Sequence, residues 1–273
     1  MIRSSWHLLT LKQRQEWESD LSGKTGKILE KKQMNLSNLI KTVLQESYHL
    51  HYYQGFHDIA AIFSSIFTNG SKVKQSGKPS KSKNDLSIAS ILLQRASHSH
   101  LYDCMQSDFT SVTAAIQLVI FPMIQYFDPK LHAHLMKSRV EPYFALSWIL
   151  TWFSHDIRDT KTVARLFDVF LASHPIFPFY LSVAMVLHPV NRKNLVDTEI
   201  DFATMHMALQ TLPKKTCSVA QQLEGSNATT QAKNGDYCSL NLERAVSSDQ
   251  LSLEKANPLI EIQDLIDNAI SYM

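Results

Sequence analysis

One apolar spacing constrains this chain more than any other feature: hydrophobic residues at i, i+3, i+4, i+7 and i+8, recurring at three places. On an α-helix this spacing gathers the side chains on one face, which must pack against other helices. Strand alternation and turn dipeptides are scarce, and the chain has only 7 glycines. The pattern therefore predicts an all-α fold. The three stripes are Leu36, Leu39, Ile40, Val43 and Leu44; Ile59, Ile62, Phe63, Ile66 and Phe67; and Val163, Leu166, Phe167, Phe170 and Leu171.

Two helix ends can also be predicted from local residues. Asn35 stands directly before the first stripe, where an amide side chain can cap a helix N-terminus. A further helix is predicted from Ser111 to Phe127, with a kink at Pro122 because proline cannot donate the backbone hydrogen bond. The Asp128-Pro129 dipeptide then ends that helix.

Composition excludes several classes of protein. A formal net charge of +2 on 273 residues gives no field that would attract nucleic acid. The three cysteines, Cys104, Cys217 and Cys238, lack metal-binding spacing and indicate free thiols in the cytoplasm. The apolar stretches 143–153 and 176–187 are shorter than the roughly 18 residues of a membrane-spanning helix. We therefore expect core helices and no transmembrane segment.

Changes in composition divide the chain into four parts. Residues 1–212 form one predicted multi-helix domain, interrupted at 69–85 by a flexible Lys-rich insertion with almost nothing apolar to bury. Residues 213–250 are polar and aperiodic, and are predicted to be a disordered linker. Residues 251–273 are an amphipathic C-terminal segment that could dock as a helix on the domain or on another surface.

The most informative stretch is LHYYQGFHDIA, residues 50–60, in which a Tyr-Tyr-Gln-Gly turn leads into the second stripe. A Gln beside a Gly on a loop can present its amide to a partner without hindrance. The amide has both a donor and an acceptor, as the orientation of an attacking water against a phosphate requires. Taken alone, such a turn is more often a helix-entry loop than a catalytic element.

The second informative stretch runs from Arg139 to Pro175. It contains an aromatic-rich helix with Trp148 and Trp152, whose indole rings are predicted to pack in the core. Arg165 and Asp168 follow on the next helix, three residues apart, and are predicted to form an intrahelical ion pair that fixes helix packing.

Together the two stretches resemble the TBC domain family of Rab GTPase-activating proteins, and within it the member 20 subfamily. The resemblance is close over residues 46–187 and looser over 1–212. The matching residues are Tyr52-Tyr53-Gln54-Gly55, Phe56-His57-Asp58-Ile59, Phe144-Ala145-Leu146-Ser147-Trp148, Thr151-Trp152-Phe153, Arg165-Leu166-Phe167-Asp168 and Phe170-Leu171-Ala172-Ser173-His174-Pro175.

The resemblance implies a protein that stimulates GTP hydrolysis by a GTP-bound Rab in vesicle trafficking. In the family an arginine and a glutamine act in trans, and the glutamine corresponds to Gln54. Tyr52, Tyr53, Gly55 and Phe56 are the predicted partner-binding residues, of which Tyr52 and Phe56 are expected to shape the loop rather than touch the nucleotide. GTP and Mg²⁺ belong to the Rab partner, so no cofactor or metal of the chain's own is expected. The subfamily further implies a cytoplasmic protein, peripheral on endoplasmic reticulum or Golgi membranes.

The arginine is where this sequence departs from the family pattern. The fair match is Arg3 in MIRSSW, but the Asp that should precede it would fall before Met1. Arg14 offers no better motif. A truncated or spliced chain, a misplaced start, loss of catalysis and a chance match at Arg3 all stay open.

Two other functions are compatible with these residues. One is a Rab-binding pseudo-GAP or scaffold, which keeps Gln54 and lacks a working arginine. The other is a metal-dependent phosphohydrolase built from His57-Asp58 and His155-Asp156, since His and carboxylate ligands suit a divalent metal. Twelve histidines make chance His-Asp pairs unsurprising, so this reading has the least weight.

Overall fold

A computed structural model describes residues 24–70, 83–217 and 260–273, and this part of the chain contains eleven α-helices. The predicted all-α fold is therefore confirmed. The helices are α1 (Lys24–Gln45), α2 (Phe56–Gly70), α3 (Lys83–Ser99), α4 (Thr110–Phe127), α5 (Pro129–Lys137), α6 (Leu146–Leu150), α7 (Thr160–Ala172), α8 (Phe177–Leu187), α9 (Pro189–Asp197), α10 (Phe202–Gln210) and α11 (Ile262–Ser271). Short 3₁₀ helices lie at Asp103–Met105, Pro142–Ala145 and Leu212–Lys215, and strands β1 (Thr216–Cys217) and β2 (Ile260–Glu261) pair in parallel.

Helix α8 is the centre of the described core. It is apolar on every side, and nine of its 11 residues are buried. Helices α4, α6, α9 and α11 and the 3₁₀ helix Leu212–Lys215 all pack against it. A helix that is hydrophobic all round has to be surrounded in this way, because each face needs an apolar partner. The sequence expectation of a core helix over 176–187 is confirmed.

Helix α4 matches its predicted range to within one residue. Asp128 follows its C-terminus, and the same side chain caps α5 by accepting a hydrogen bond from the backbone N–H of Leu131 at 3.0 Å. Arg192 of α9 donates to the carboxylate as well. Burial acts to raise the pKa of Asp128, but the hydrogen bonds from Arg192 and Leu131 outweigh it and lower that pKa.

By length and composition α4 is also, among the described helices, the one that could cross a membrane. One face of the helix, with Val112, Ile116, Ile120 and Ile124, is buried where it contacts α5 and α8, whereas only 22% of the helix is buried in all. A single helix of this kind is weak evidence of a membrane span, so the described residues contain no clear transmembrane segment.

Several predicted boundaries differ from the observed ones. Asn35 is not an N-cap but lies inside α1, because the apolar stripe extends back to the buried Leu29. The predicted insertion 69–85 overlaps the end of α2 and the start of α3. Its remaining residues, 71–82, lie outside the described part. Residues 216–217, which the sequence placed in a disordered linker, form strand β1.

The described part of the C-terminal segment packs on the domain. Ile262, Leu265, Ile266 and Ala269 of α11 are buried and repeat the helical spacing of the other stripes. Helix α11 lies on α8, and the pairing of Thr216 with Ile260 holds the chain just before it. The rest of the predicted linker and segment, residues 218–259, lies outside the described residues.

The aromatic-rich helix ends earlier than predicted. Helix α6 stops at Leu150, and Trp152 and Phe153 both have positive φ, 50° and 62°. Such φ values are uncommon for bulky residues and persist only where the surroundings enforce them. Here the two rings are buried and the N–H of Phe153 donates to the carbonyl oxygen of Trp148 at 2.8 Å. Core packing of Trp148 and Trp152 is thus confirmed, although Trp152 lies in a turn rather than in a helix.

Candidate functional site

Gln54 lies on the loop between α1 and α2, at an open cleft of about 520 Å³. Its side chain is exposed to solvent. One wall of the cleft belongs to the same loop and the other to the segment between the 3₁₀ helix Asp103–Met105 and α4. The lining residues are His51, Tyr52, Tyr53, Gln54, Gln106, Ser107, Asp108 and Phe109. The amide of Gln54 can therefore meet a group brought in from outside the chain.

Tyr53 anchors the loop from the inside. Its side chain is buried, and its hydroxyl donates to the carbonyl oxygen of Leu150, at the end of α6, at 2.8 Å. The ring packs against Phe56 and Phe109. Burial, followed by the nearby Cys104 and Asp58, raises the pKa of Tyr53 well above its ordinary value, so the phenol stays protonated and keeps its donor.

Gly55 allows the chain to turn from this anchor into α2. Its φ is +121°, a backbone conformation that side-chain-bearing residues rarely adopt. A Cβ at this position would also lie 3.0 Å from Cγ2 of Thr151, on the α6–α7 turn. Phe56, the first residue of α2, is fully buried directly after it. The exposed Gln54 is thus fixed between two buried aromatic residues.

The opposite side of the loop is held by α3 and the segment that follows it. The backbone N–H of His51 donates to the carbonyl oxygen of Met105 at 2.7 Å. Ser47 Oγ and His98 Nε2, at the end of α3, form a hydrogen bond of 2.7 Å. The Gln54 loop, residues 46–55, is therefore tied both to the α6–α7 turn and to α3.

A buried carboxylate lies directly behind the loop. Asp58 Oδ2 is 3.3 Å from Nδ1 of His155, and Asp58 Oδ1 is 3.8 Å from Nε2 of His57. Nδ1 of His57 forms a 2.8 Å hydrogen bond with the hydroxyl of Tyr52. These four residues connect the Gln54 loop to the α6–α7 turn. The sequence singled out the two His-Asp dipeptides but not the contact between them.

The cleft itself carries one carboxylate and no lysine or arginine among its lining residues. Asp108 is exposed, and hydrogen bonds from the backbone N–H and then the side chain of Thr110 lower its pKa, so it is ionised at neutral pH. A free nucleotide triphosphate needs cations or clustered backbone amides around its phosphates. The lining residues of the cleft therefore offer no Lys or Arg side chain to a phosphate.

The predicted site residues take different positions. Tyr52 is half-exposed beside Gln54, whereas Tyr53, Gly55 and Phe56 are buried, so their side chains support the loop in this structure. A partner-binding role of these four residues stays a prediction. Arg3 and Arg14 lie outside the described residues.

The prediction of an ion pair between Arg165 and Asp168 is wrong. Both residues lie in the described part of α7 and are exposed, and no N–O distance between them falls within 4.0 Å. Arg165 instead donates to Oε1 of Gln263 on α11 at 3.3 Å. An exposed pair contributes little free energy, so a nearby amide on another helix can replace it.

In the described part of the chain, one contact but no complete ligand set is present for a metal-dependent phosphohydrolase. The structure brings Asp58 and His155 together from the two His-Asp dipeptides. Among residues 24–70, 83–217 and 260–273, however, no three His, Cys, Asp or Glu side chains are grouped so that they could hold a metal ion. A phosphohydrolase centre therefore gains no support from this part of the chain.

The sequence is similar to that of a known domain family and of several curated proteins. The model of the Rab-GTPase-TBC domain matches residues 22–195. TBC1 domain family member 20 of Homo sapiens is 32% identical over 182 residues, which are 67% of this chain and 40% of that protein. The Mus musculus protein of the same name is 33% identical over the same length. GTPase-activating protein gyp10 of Schizosaccharomyces pombe is 31% identical over 220 residues, 80% of this chain and 53% of the yeast protein. The chain spans about half or less of the length of these curated relatives.

Proposed function

Because this chain belongs to the Rab-GTPase-TBC domain family, we propose that it stimulates GTP hydrolysis by a GTP-bound Rab GTPase, with Gln54 acting in trans. The observation that carries the proposal is the exposed Gln54 on a loop held by buried anchors on both sides. A catalytic amide accelerates hydrolysis only when it is already held where the attacking water will lie. The name of the yeast relative, a GTPase-activating protein, supports the same activity.

The cleft is consistent with an activator that brings no nucleotide of its own. None of its lining residues is a cation, so the charge of the phosphates has to be balanced elsewhere. In a GTPase complex the partner already binds the nucleotide together with Mg²⁺. The chain would then need only to position the water and to add positive charge in the transition state.

For that added charge we propose Arg3, the second residue of a dual-finger mechanism. An arginine that reaches the transferring phosphoryl group typically raises the rate about 10³- to 10⁵-fold. Arg3 precedes Lys24, where α1 begins, by 21 positions and lies outside the described residues. The role of Arg3 rests on the family resemblance.

The test is single-turnover GTP hydrolysis by a panel of GTP-loaded Rab proteins, with and without this chain. We expect acceleration of at least one Rab, and a loss of about 10²- to 10³-fold for Gln54→Ala, as for removal of one transition-state hydrogen-bond donor. Gln125→Ala, on the exposed surface near the C-terminal end of α4 and outside the cleft lining, is the matched control and should keep the activity. Arg3→Ala tests the second finger in the same assay.

The second candidate function is a Rab-binding pseudo-GAP, favoured by the absence of a cation among the residues that line the cleft. Retained binding to a GTP-loaded Rab without acceleration would establish it and overturn the activator. A cytoplasmic location, peripheral on endoplasmic reticulum or Golgi membranes, and a role in vesicle trafficking accompany both candidates as proposals. Fractionation of the tagged chain tests the location.

A further inference from the structure

The carboxylate of Asp58 lies between two histidines that reach it from different parts of the chain. The Asp58 side chain is 3% exposed, whereas the side chains of His57 and His155 are 22% and 46% exposed. His57 is the neighbour of Asp58 on α2, but His155 lies 97 residues further along, on the α6–α7 turn. The 3.3 Å contact to His155 is thus a tertiary contact at the back of the Gln54 loop.

A buried carboxylate lowers the stability of the fold unless its oxygens accept hydrogen bonds. Burial removes its hydration, and a buried ionised group without compensation destabilises the fold. Within the described residues Oδ1 of Asp58 accepts no hydrogen bond, and His57 is beyond hydrogen-bonding distance of it. The compensation therefore depends heavily on Nδ1 of His155, which can donate to Oδ2 in the neutral as well as the protonated ring.

The position of Asp58 makes this contact relevant to Gln54. Asp58 is in the first turn of α2, and its backbone N–H donates to the carbonyl oxygen of Gly55 at 2.9 Å, which closes the turn that begins the helix. A displacement of Asp58 would therefore move Gly55 and the adjacent Gln54. His155 belongs to the same turn as Thr151, whose Cγ2 leaves no room for a Cβ at Gly55. The turn begins after Leu150, which accepts the hydrogen bond of Tyr53.

We propose that His155 is a positioning residue for Gln54, acting through its hydrogen bond to the buried carboxylate of Asp58. His155 is not among the residues that line the cleft, so it does not itself touch the reacting groups. It fixes the first turn of α2, and through it the direction in which the Gln54 amide points. The inference deepens the proposed function and rests on it for its kinetic arm alone.

The kinetic arm compares His155→Ala with His155→Asn in the single-turnover assay. An asparagine amide can donate from about the position of Nδ1, so His155→Asn should keep the rate within about twofold, whereas His155→Ala should lower the rate at saturation about tenfold. The concentration of the chain that gives half-maximal acceleration should stay the same, because the loss concerns transition-state geometry and not docking. Full activity of His155→Ala, or equal losses in both variants, would overturn the proposal.

A second experiment uses the chain alone, without any GTPase. Amide hydrogen exchange of residues 51–58 should be about tenfold faster in His155→Ala than in the unmodified chain, and near normal in His155→Asn. His132→Ala is the control, since His132 packs on Phe121 in the α4–α5 region and should leave exchange of the loop unchanged. If His155→Ala does not fold, His155→Leu replaces it, because leucine keeps much of the side-chain volume and has no donor for Asp58.

The two arms separate the two hypotheses. Absence of Rab stimulation by the unmodified chain, with the predicted exchange pattern, would remove the activator and leave the positioning contact in place. Stimulation by the unmodified chain, with no change of rate or exchange in His155→Ala, would leave the activator and remove the positioning role.

Discussion

The Gln54 loop and the α8 core are stabilised in different ways. The loop depends on two hydrogen bonds, from the Tyr53 hydroxyl to Leu150 and between His155 and Asp58, and on the positive φ of Gly55. The α8 core depends on apolar packing against five neighbouring elements, in which no single contact dominates. Substitutions in α8 should therefore act mainly on stability, and substitutions in the loop mainly on the geometry of Gln54.

The largest expected effect on stability comes from the core. Leu181→Ala removes a fully buried side chain from α8 and should lower the free energy of unfolding by about 2–5 kcal/mol, because it creates a cavity. Urea unfolding followed by circular dichroism measures the change. At a temperature where the variant is still folded, its stimulation of Rab hydrolysis should be unchanged. A proportional loss of stimulation would break the distinction between the two regions.

Gly55→Ala should come next, and it should affect both quantities. The positive φ and the 3.0 Å approach to Thr151 predict a loss of about 1–3 kcal/mol in unfolding free energy, the usual range for an enforced strained backbone conformation. Because relief of the strain would move Gln54, stimulation should fall further than stability predicts. Gly70→Ala, at the other end of α2, provides the control in the same measurements. Equal effects of the two substitutions would contradict the account of the loop.

Tyr53→Phe separates the hydrogen bond of Tyr53 from its ring packing, since it removes the hydroxyl and keeps the buried ring. The carbonyl oxygen of Leu150 would lose this donor, at an expected cost of about 1 kcal/mol in unfolding free energy. Thermal unfolding measures the stability, and single-turnover hydrolysis measures the geometry. A variant with wild-type stimulation would show that the aromatic contacts of Tyr53 suffice to hold the loop.

How much of this could be predicted from sequence follows from the range of each contact. Stripes such as Val163, Leu166 and Phe167 predict helices because the periodicity is local, and four of the five residues of that stripe are buried. Gln54 can be predicted as well, because it stands in the contiguous motif Tyr52-Tyr53-Gln54-Gly55. The Asp58–His155 contact joins residues 97 apart, and no local pattern encodes such a meeting. Asn35 lies inside α1 because the apolar stripe begins at Leu29, and Trp152 lies in a turn because core packing enforces its positive φ after the end of α6.

The dependence of stability on acidic pH provides a test with a smaller expected effect, at Asp128 between α4 and α5. The lowered pKa of Asp128 means that its contribution is present above the unfolded-state pKa of about 4 and is lost as the pH falls towards the folded-state value. Urea midpoints between pH 6 and pH 3 should therefore fall more steeply for the unmodified chain than for Asp128→Asn. Parallel curves would show that Arg192 and the α5 cap do not depend on the carboxylate charge.

The smallest expected effect is that of Arg165→Ala on the exposed surface of α7. Its hydrogen bond to Gln263 is solvent-accessible, so the unfolding free energy should change by about 0.5 kcal/mol or less. The urea unfolding assay used for Leu181→Ala measures it, and Rab stimulation should be unaffected. A loss above about 1 kcal/mol would show that α7 and α11 support each other through this contact.

The packing of α11 on α8 also sets an order of events during synthesis. Residues 177–187 leave the ribosome long before residues 262–271, yet the two helices bury each other's apolar faces. A nascent chain that has emerged only as far as β1 would expose an apolar face of α8, which is the kind of surface that chaperones recognise. The described core around α8 is therefore completed only after α11 has been synthesised, well after α8 itself.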